Sequence, residues 1–147
     1  MNAAHHRRLE AMYRSAPVNQ LYLPTLRVAD GAAEVSIAVD PRFFHAAGAL
    51  HGSVYFKLLD DACFFAASSL VEGTFLVTTS FTTYLTRPVT EGQLISRAKV
   101  VHAGRELWVA EAVLAGADGR EVGRGSGTFM KSRIPLGPEV GYADSGS

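Results

Sequence analysis

Residues 52–71 read GSVYFKLLDDACFFAASSLV. After Gly52 the run holds neither glycine nor proline, and Leu, Ala and Phe dominate it. It is too long for a strand and predicts a helix of about five turns. Apolar residues fall on nearly every face, so this helix is expected to be surrounded by protein instead of lying on a surface. The rest of the chain must therefore wrap around one central rod.

The wrapping is read on both sides of the rod. Upstream, residues 21–28 and 33–39 read as two strands, and Asp30-Gly31 between them is a hairpin signal. Val35, Ile37 and Val39 alternate with Ser36 and Ala38, the period of a half-buried strand. Asp40-Pro41 ends the second strand, and residues 43–50 form an irregular apolar loop around Gly48. Downstream, residues 75–86, 93–102, 105–114 and 121–131 read as four strands, separated by Arg87-Pro88, Glu91-Gly92, Gly104 and Asp118-Gly119. Residues 3–13 predict a short amphipathic helix ending before Pro17. Its adjacent His5 and His6 do not share a helix face, which counts against a metal site there. Residues 133–147, with two prolines and three glycines, predict a loose tail.

The expected class is α+β, an antiparallel sheet curled around one long central helix. Residues 1–20 form a helical lead-in, 21–132 the domain and 133–147 a flexible tail. One helix covers only the concave face of such a sheet, so the open edges and remaining apolar surface need a partner. A second copy of the chain is the simplest one.

The chain has 147 residues, the size of one domain. Its 14 Lys+Arg balance 14 Asp+Glu, and a broad electrostatic nucleic-acid binder would need a basic excess. One cysteine excludes an internal disulfide framework and a Cys-rich zinc site. No apolar run is long enough for a membrane span, and residues 1–14 lack the apolar core of a signal peptide. These features predict a soluble, cytoplasmic protein.

Two carboxylates lie inside the apolar helix, where an unpaired charge is costly. Asp61 is one turn from Lys57 and predicts an ion pair on an exposed stripe. Asp60 shares its stripe with Phe56, Cys63, Phe64 and Ala67, and no cation lies there. A carboxylate whose burial is not offset locally marks a functional group. At the helix start, His51-Gly52 supplies a polar cap and a glycine that lets another molecule approach the first backbone amides. Those amides have no partner within the helix and carry partial positive charge. They could stabilise a carbonyl oxygen that gains negative charge. Gly52 and Asp60 are eight residues apart, so about 12 Å along the helix. Reacting groups must approach to about 3 Å, so the two cannot serve one carbonyl within one chain. Two such helices running antiparallel across a dimer axis would bring them together, twice per dimer.

Residues 45–69, HAAGALHGSVYFKLLDDACFFAASS, resemble the signature of hotdog-fold acyl-CoA thioesterases of the phenylacetyl-CoA thioesterase-like (PaaI-type) branch. That signature is His-Gly, an aromatic or apolar helix, and an acid nine positions after the His, here Asp60. Residues 78–88, TTSFTTYLTRP, resemble the family's long strand ending in Arg-Pro. The resemblance covers residues 33–131. It implies a thioesterase acting on a short-to-medium or aryl acyl-CoA, as a homodimer or dimer of dimers with sites shared between subunits. Coenzyme A is part of the substrate, and no further cofactor or metal is implied. The Gly52 amide would polarise the thioester carbonyl. Asp60 would act as nucleophile or as general base on a water, and His51 would orient the loop or bond the thioester region. Two positions depart from the family pattern. His45 stands where Asn or Gln is usual, and Phe64 where Ser or Thr is usual.

Phe64, Phe81 and Tyr84 are candidate walls of an acyl pocket. Arg87, Arg105 and Arg124 are candidates to meet the phosphates of coenzyme A. Ser126, between Gly125 and Gly127, would let a pantetheine arm pass close to a strand. Cys63, one turn from Asp60, is read as packing, because a nearby carboxylate works against a thiolate. Two other functions fit the class. Asp40 and His45 have the Asp-x-x-x-x-His spacing of one enoyl-CoA hydratase or dehydratase branch, without the rest of that motif. A non-catalytic acyl-CoA binder could share the same fold.

Overall fold

The computed structural model describes residues 2–144. Helix α1 (Ala3–Ser15) starts at Asn2, whose side chain accepts a hydrogen bond from the His5 amide. It buries His5, His6, Leu9, Met12 and Tyr13. A single-turn helix α2 (Asn19–Tyr22) follows and closes at Leu23 in the left-handed region. The first strand therefore begins later than the sequence suggests. Asn19 Nδ2 donates to the Tyr13 carbonyl at 2.7 Å, which ties this turn to α1. Strand β1 (Thr25–Ala29) starts only beyond Pro24 and forms a hairpin with β2 (Ala32–Ala38), turning at Gly31 with φ 68°.

The loop after β2 is closely hydrogen-bonded. The His45 amide donates to the Ala49 carbonyl at 2.9 Å, the Leu50 amide to Val89 at 2.9 Å and the His51 amide to Phe43 at 2.9 Å. It delivers the chain to helix α3 (Gly52–Ser68). Strands β3 (Thr74–Leu85), β4 (Gln93–Ala103), β5 (Leu107–Gly116) and β6 (Glu121–Pro135) complete the sheet. Its order is β1-β2-β4-β5-β6-β3, antiparallel throughout. Strands β4 to β6 form a meander, and β3 lies at the far edge beside β6.

Helix α3 touches all six strands. Leu58, Leu59, Ala62, Cys63 and Ala66 are fully buried against Val35, Leu76, Leu94, Leu114 and Phe129 of the sheet's inner face. Each large apolar side chain buried here stabilises by about 1.5–3 kcal/mol before chain entropy is counted. The rod is not covered all round, however. Ser53, Phe56, Lys57, Asp60, Asp61 and Phe64 form a stripe that stays half-buried or exposed.

The segment after residue 132, expected to be flexible, is anchored as far as residue 144. Strand β6 runs on to Pro135, and a 3-10 turn follows at Pro138–Val140. Asp144 pairs with Arg8 at 2.8 Å. His5 Nε2 donates to the Ser68 carbonyl at 2.8 Å, so its Nδ1 accepts from the Tyr142 hydroxyl at 2.7 Å. His6 lies 3.1 Å from Asp30. The adjacent histidines thus tie α1 to three other parts of the fold. Residues 145–147 of the expected tail lie outside the described residues. No helix among the described residues is long and apolar enough to cross a membrane.

Candidate functional site

Asp60 lies on the open stripe of α3, with β3 alongside. The Thr78 hydroxyl donates to Asp60 Oδ1 at 2.9 Å. Among the described residues no donor meets the other carboxyl oxygen. Burial raises the Asp60 pKa most, the bond from Thr78 opposes it, and Asp61 raises it further against Lys57; the result is about 6. Such a carboxyl is mostly ionised at neutral pH and still basic enough to take a proton. Asp61 forms the expected pair with Lys57 at 2.8 Å, but in a more secluded setting than expected, with side chains 18% and 15% exposed. Tyr13 of α1 also donates to Asp61, at 2.6 Å. Burial and the two carboxylates push the Tyr13 phenol up, so it stays a donor.

Beside Asp60 a cleft of about 300 Å³ opens between α3, α1, β3 and the C-terminal turn. Tyr13, Phe64, Phe65, Phe75 and Val140 line it together with Thr78. Phe64 meets Phe65 edge-on at 5.0 Å and lies 5.4 Å from Phe75, so it is a wall of this cleft. Three of the residues that matter here were given no part in the site from the sequence. Thr78 stood in a quoted motif without a role, Tyr13 belonged to a distant helix, and Lys57 was read only as a salt-bridge partner.

The amino end of α3 forms a second cleft of about 340 Å³, with His45, Gly52, Tyr55, Leu85 and Arg87 among its lining. His51 Nδ1 accepts from the Ser53 amide at 3.0 Å and lies 2.8 Å from the Ser53 hydroxyl, so His51 caps the helix. The Val54 amide bonds the His51 carbonyl at 3.0 Å. Among the described residues no acceptor meets the Gly52 amide. A Cβ on Gly52 would lie 2.9 Å from Leu85 Cδ1, so the helix tip sits directly on the end of β3. Tyr55 donates to the Arg87 carbonyl at 2.7 Å and fixes the Arg-Pro turn. His45 Nδ1 accepts from the Ala47 amide at 3.0 Å.

Other predicted site residues lie apart from both clefts. Phe81 packs edge-on against Phe56 at 5.5 Å and covers Gly125 and Gly127, where a Cβ would collide with its ring. The glycines thus accommodate that ring on the inner face, not a pantetheine arm. Gly123 faces Tyr55 and Leu59 of α3, so by strand alternation Arg124 and Ser126 point to the outer face. They share a shallow groove there with Tyr84, which is 60% exposed, and Arg124 is bound to Glu121 at 2.6 Å. Arg105 is exposed in the β4–β5 turn, at the end of the sheet where β3 begins, whereas Arg87 follows the end of β3. Within one chain these residues do not form a single site.

Asp40 is held by Arg42, through the backbone amide at 2.9 Å and the guanidinium at 2.8 Å, and so does not engage His45. Cys63 is fully buried, and burial with Asp60 and Glu111 pushes its thiol up, as expected of a packing residue. Among the described residues no three His, Cys, Asp or Glu side chains gather where they could hold a metal ion.

No curated protein matched the chain. Solved structures do. A thioesterase family protein from Silicibacter pomeroyi is 28% identical, covers 86% of this chain and 97% of its own, and superposes with a TM-score of 0.79. A conserved Pseudomonas aeruginosa protein is 30% identical, with coverages of 80% and 94% and a TM-score of 0.73. The PaaI protein from the E. coli phenylacetic acid degradation operon shares the fold at 20% identity, with coverages of 90% and 99% and a TM-score of 0.80. The sequence profile of the thioesterase superfamily matches residues 47–122, from the loop before α3 to the start of β6. With a curled six-stranded antiparallel sheet around α3 and more than half its length matching that profile, the chain has the hotdog fold and belongs to the thioesterase superfamily.

Proposed function

We propose that the protein hydrolyses acyl-CoA thioesters, in the manner of the PaaI-type branch, at two sites shared across a homodimer. One observation carries this reading. The acid and the helix tip sit in separate clefts, yet both are anchored on β3, at Thr78 and at Leu85. Strand β3 is an open edge of the sheet, where unpaired backbone groups invite another strand. Antiparallel pairing of two β3 strands about a twofold axis can set Leu85 beside the partner's Thr78. The Gly52 amide then faces the partner's Asp60, and the open stripes of the two α3 helices meet. A dimer of dimers would use the outer face of the joined sheet.

In this arrangement the acyl group enters the aromatic cleft, whose size and lining suit an aryl or a short-to-medium chain. The coenzyme A portion leaves past His45 and Arg87. Pairing also brings Arg105 of one subunit to the same end of the joined sheet as the partner's Arg87, where phosphates could be met. Asp60 accepts a proton from water as the oxygen attacks the thioester carbon, and the Gly52 amide donates to the oxyanion. The C–S bond then breaks, the thiolate recovers the proton, and acid and free coenzyme A leave. A pKa of about 6 suits the general-base role.

Mixed dimers test the shared site. Gly52→Pro deletes the amide proton at the first helical position, where proline is tolerated after the extended His51. Alone, Gly52→Pro and Asp60→Asn should each abolish thiol release. Refolded together in equal amounts, they should recover about a quarter of wild-type activity, since half the dimers are mixed and each holds one intact site. No recovery would overturn the shared site, and a wild type that binds acyl-CoA without releasing thiol would overturn the enzyme. One turnover in 18O-water distinguishes base from nucleophile: label on Asp60 would overturn the base.

A further inference from the structure

Lys57 is one helical turn from Asp60 and lowers its pKa only as the least of the influences on it, because the ammonium is paired with Asp61. Its ammonium sits 2.8 Å from Asp61, and Tyr13 donates to the same Asp61 oxygen at 2.6 Å. The ammonium also lies 5.5 Å from the Tyr13 ring and 5.2 Å from the Tyr22 ring. Helix α1, helix α2 and the next residue of α3 thus hold the cation together. At i,i+3 and i,i+4, Lys57 has both carboxylates in reach. Tyr13 and the aromatic faces favour Asp61, and Asp60 is left with the neutral Thr78 hydroxyl.

We propose that Asp61 and Tyr13 are positioning residues that keep the Lys57 ammonium off Asp60, so that the carboxylate beside the cleft stays free to take a proton. This rests on the reading of Asp60 as the base. The groups facing Asp60 are Lys57, Asp61 and Cys63 from α3, Tyr13 from α1 and Thr78 from β3, and Val140 lines the cleft from the C-terminal turn. The Cys63 thiol and the Tyr13 phenol stay neutral near pH 7, because burial pushes both up. Lys57 is therefore the one cation among these groups, and its position adds to burial, the Thr78 bond and the Asp61 charge in setting how basic Asp60 is.

The test is a double-mutant cycle on the full-length protein, read by the acid limb of kcat/KM and by 13C titration of the Asp60 carboxyl. Asp61→Asn releases Lys57 toward Asp60, and the Asp60 midpoint should fall by about one unit with about a tenfold loss of kcat. Lys57→Met in that background should restore most of both. In the wild-type background Lys57→Met should raise the midpoint by only about a few tenths of a unit, because the cation is already held away. Tyr13→Phe should lower the midpoint in the same direction as Asp61→Asn, by less. Equal Lys57→Met shifts in the two backgrounds would overturn the proposal. An Asp60→Asn protein that still releases thiol would instead overturn the reading of Asp60 as base, while the carboxyl titration still tests where Lys57 lies.

Discussion

Thr78 donates its hydroxyl proton to Asp60 across the seam between β3 and α3, at 2.9 Å. The bond holds one carboxyl oxygen against the sheet, leaves the other toward the cleft, and favours the ionised form. Burial works the other way and prevails, giving a pKa of about 6. In the proposed reaction the rate depends on that balance, and so does stability.

The first consequence is an acid limb in kcat/KM for thiol release with a midpoint near 6. Thr78→Val removes the donor that favours the carboxylate. It should move the limb up by about 0.5–1 unit and slow the reaction severalfold at pH 7. A limb that stays in place in this variant would show that the hydroxyl does not tune the acid.

Stability should respond with the opposite sign to activity. The folded-state pKa of Asp60 lies above its ordinary value, so ionisation costs stability. The cost is absent below about pH 4, grows as pH rises through 6 and is complete above it. Asp60→Asn should therefore raise stability by about 2 kcal/mol at pH 8 and leave it unchanged at pH 4. Thermal unfolding of both proteins at the two pH values decides this.

Gly125 should tolerate no side chain. A Cβ there would lie 2.5 Å from the Phe81 ring and 2.8 Å from the Thr82 carbonyl. Gly125→Ala should cost about 1–3 kcal/mol in denaturant unfolding, and Phe81→Ala in the same chain should recover part of that loss.

The C-terminal segment should affect catalysis as well as stability. Val140 lines the cleft beside Asp60, and the Tyr142 hydroxyl is bound to His5. Tyr142→Phe removes that bond and should lower stability by about 1 kcal/mol. Val140→Ala widens the cleft and should shift substrate preference toward bulkier acyl groups, measured as ratios of kcat/KM across a set of acyl-CoAs.

The fold was legible where many residues agree. The helix at 52–68 and the strands around it repeat one apolar pattern over long stretches. Residues 21 and 22 were read as the start of a strand because the turn that holds them is a single one, too short for a helical period, tied to α1 by Asn19 and the Tyr13 carbonyl. The segment to 144 was read as loose because Tyr142 and Asp144 hold it singly, without periodicity. Asp60 stood out because a lone carboxylate in an apolar helix is costly, and Gly52 because of its place at the helix start. Thr78 did not, since strand alternation gives a face and not a partner. Arg124 was chosen for its place at a strand end, Ser126 for its glycine neighbours and Tyr84 as an aromatic, and none of these says which face a side chain takes. Gly123, packed on α3, fixes that face only once the structure is known.

Six residues of β3 separate the contact with the acid, at Thr78, from the contact with the helix tip, at Leu85. In the proposed pair this span acts as a ruler, read twice by the twofold axis. Adding or deleting one residue between Thr78 and Leu85 would misalign both reaction centres at once. Divergence in this strand should therefore proceed by substitution, with its length held constant.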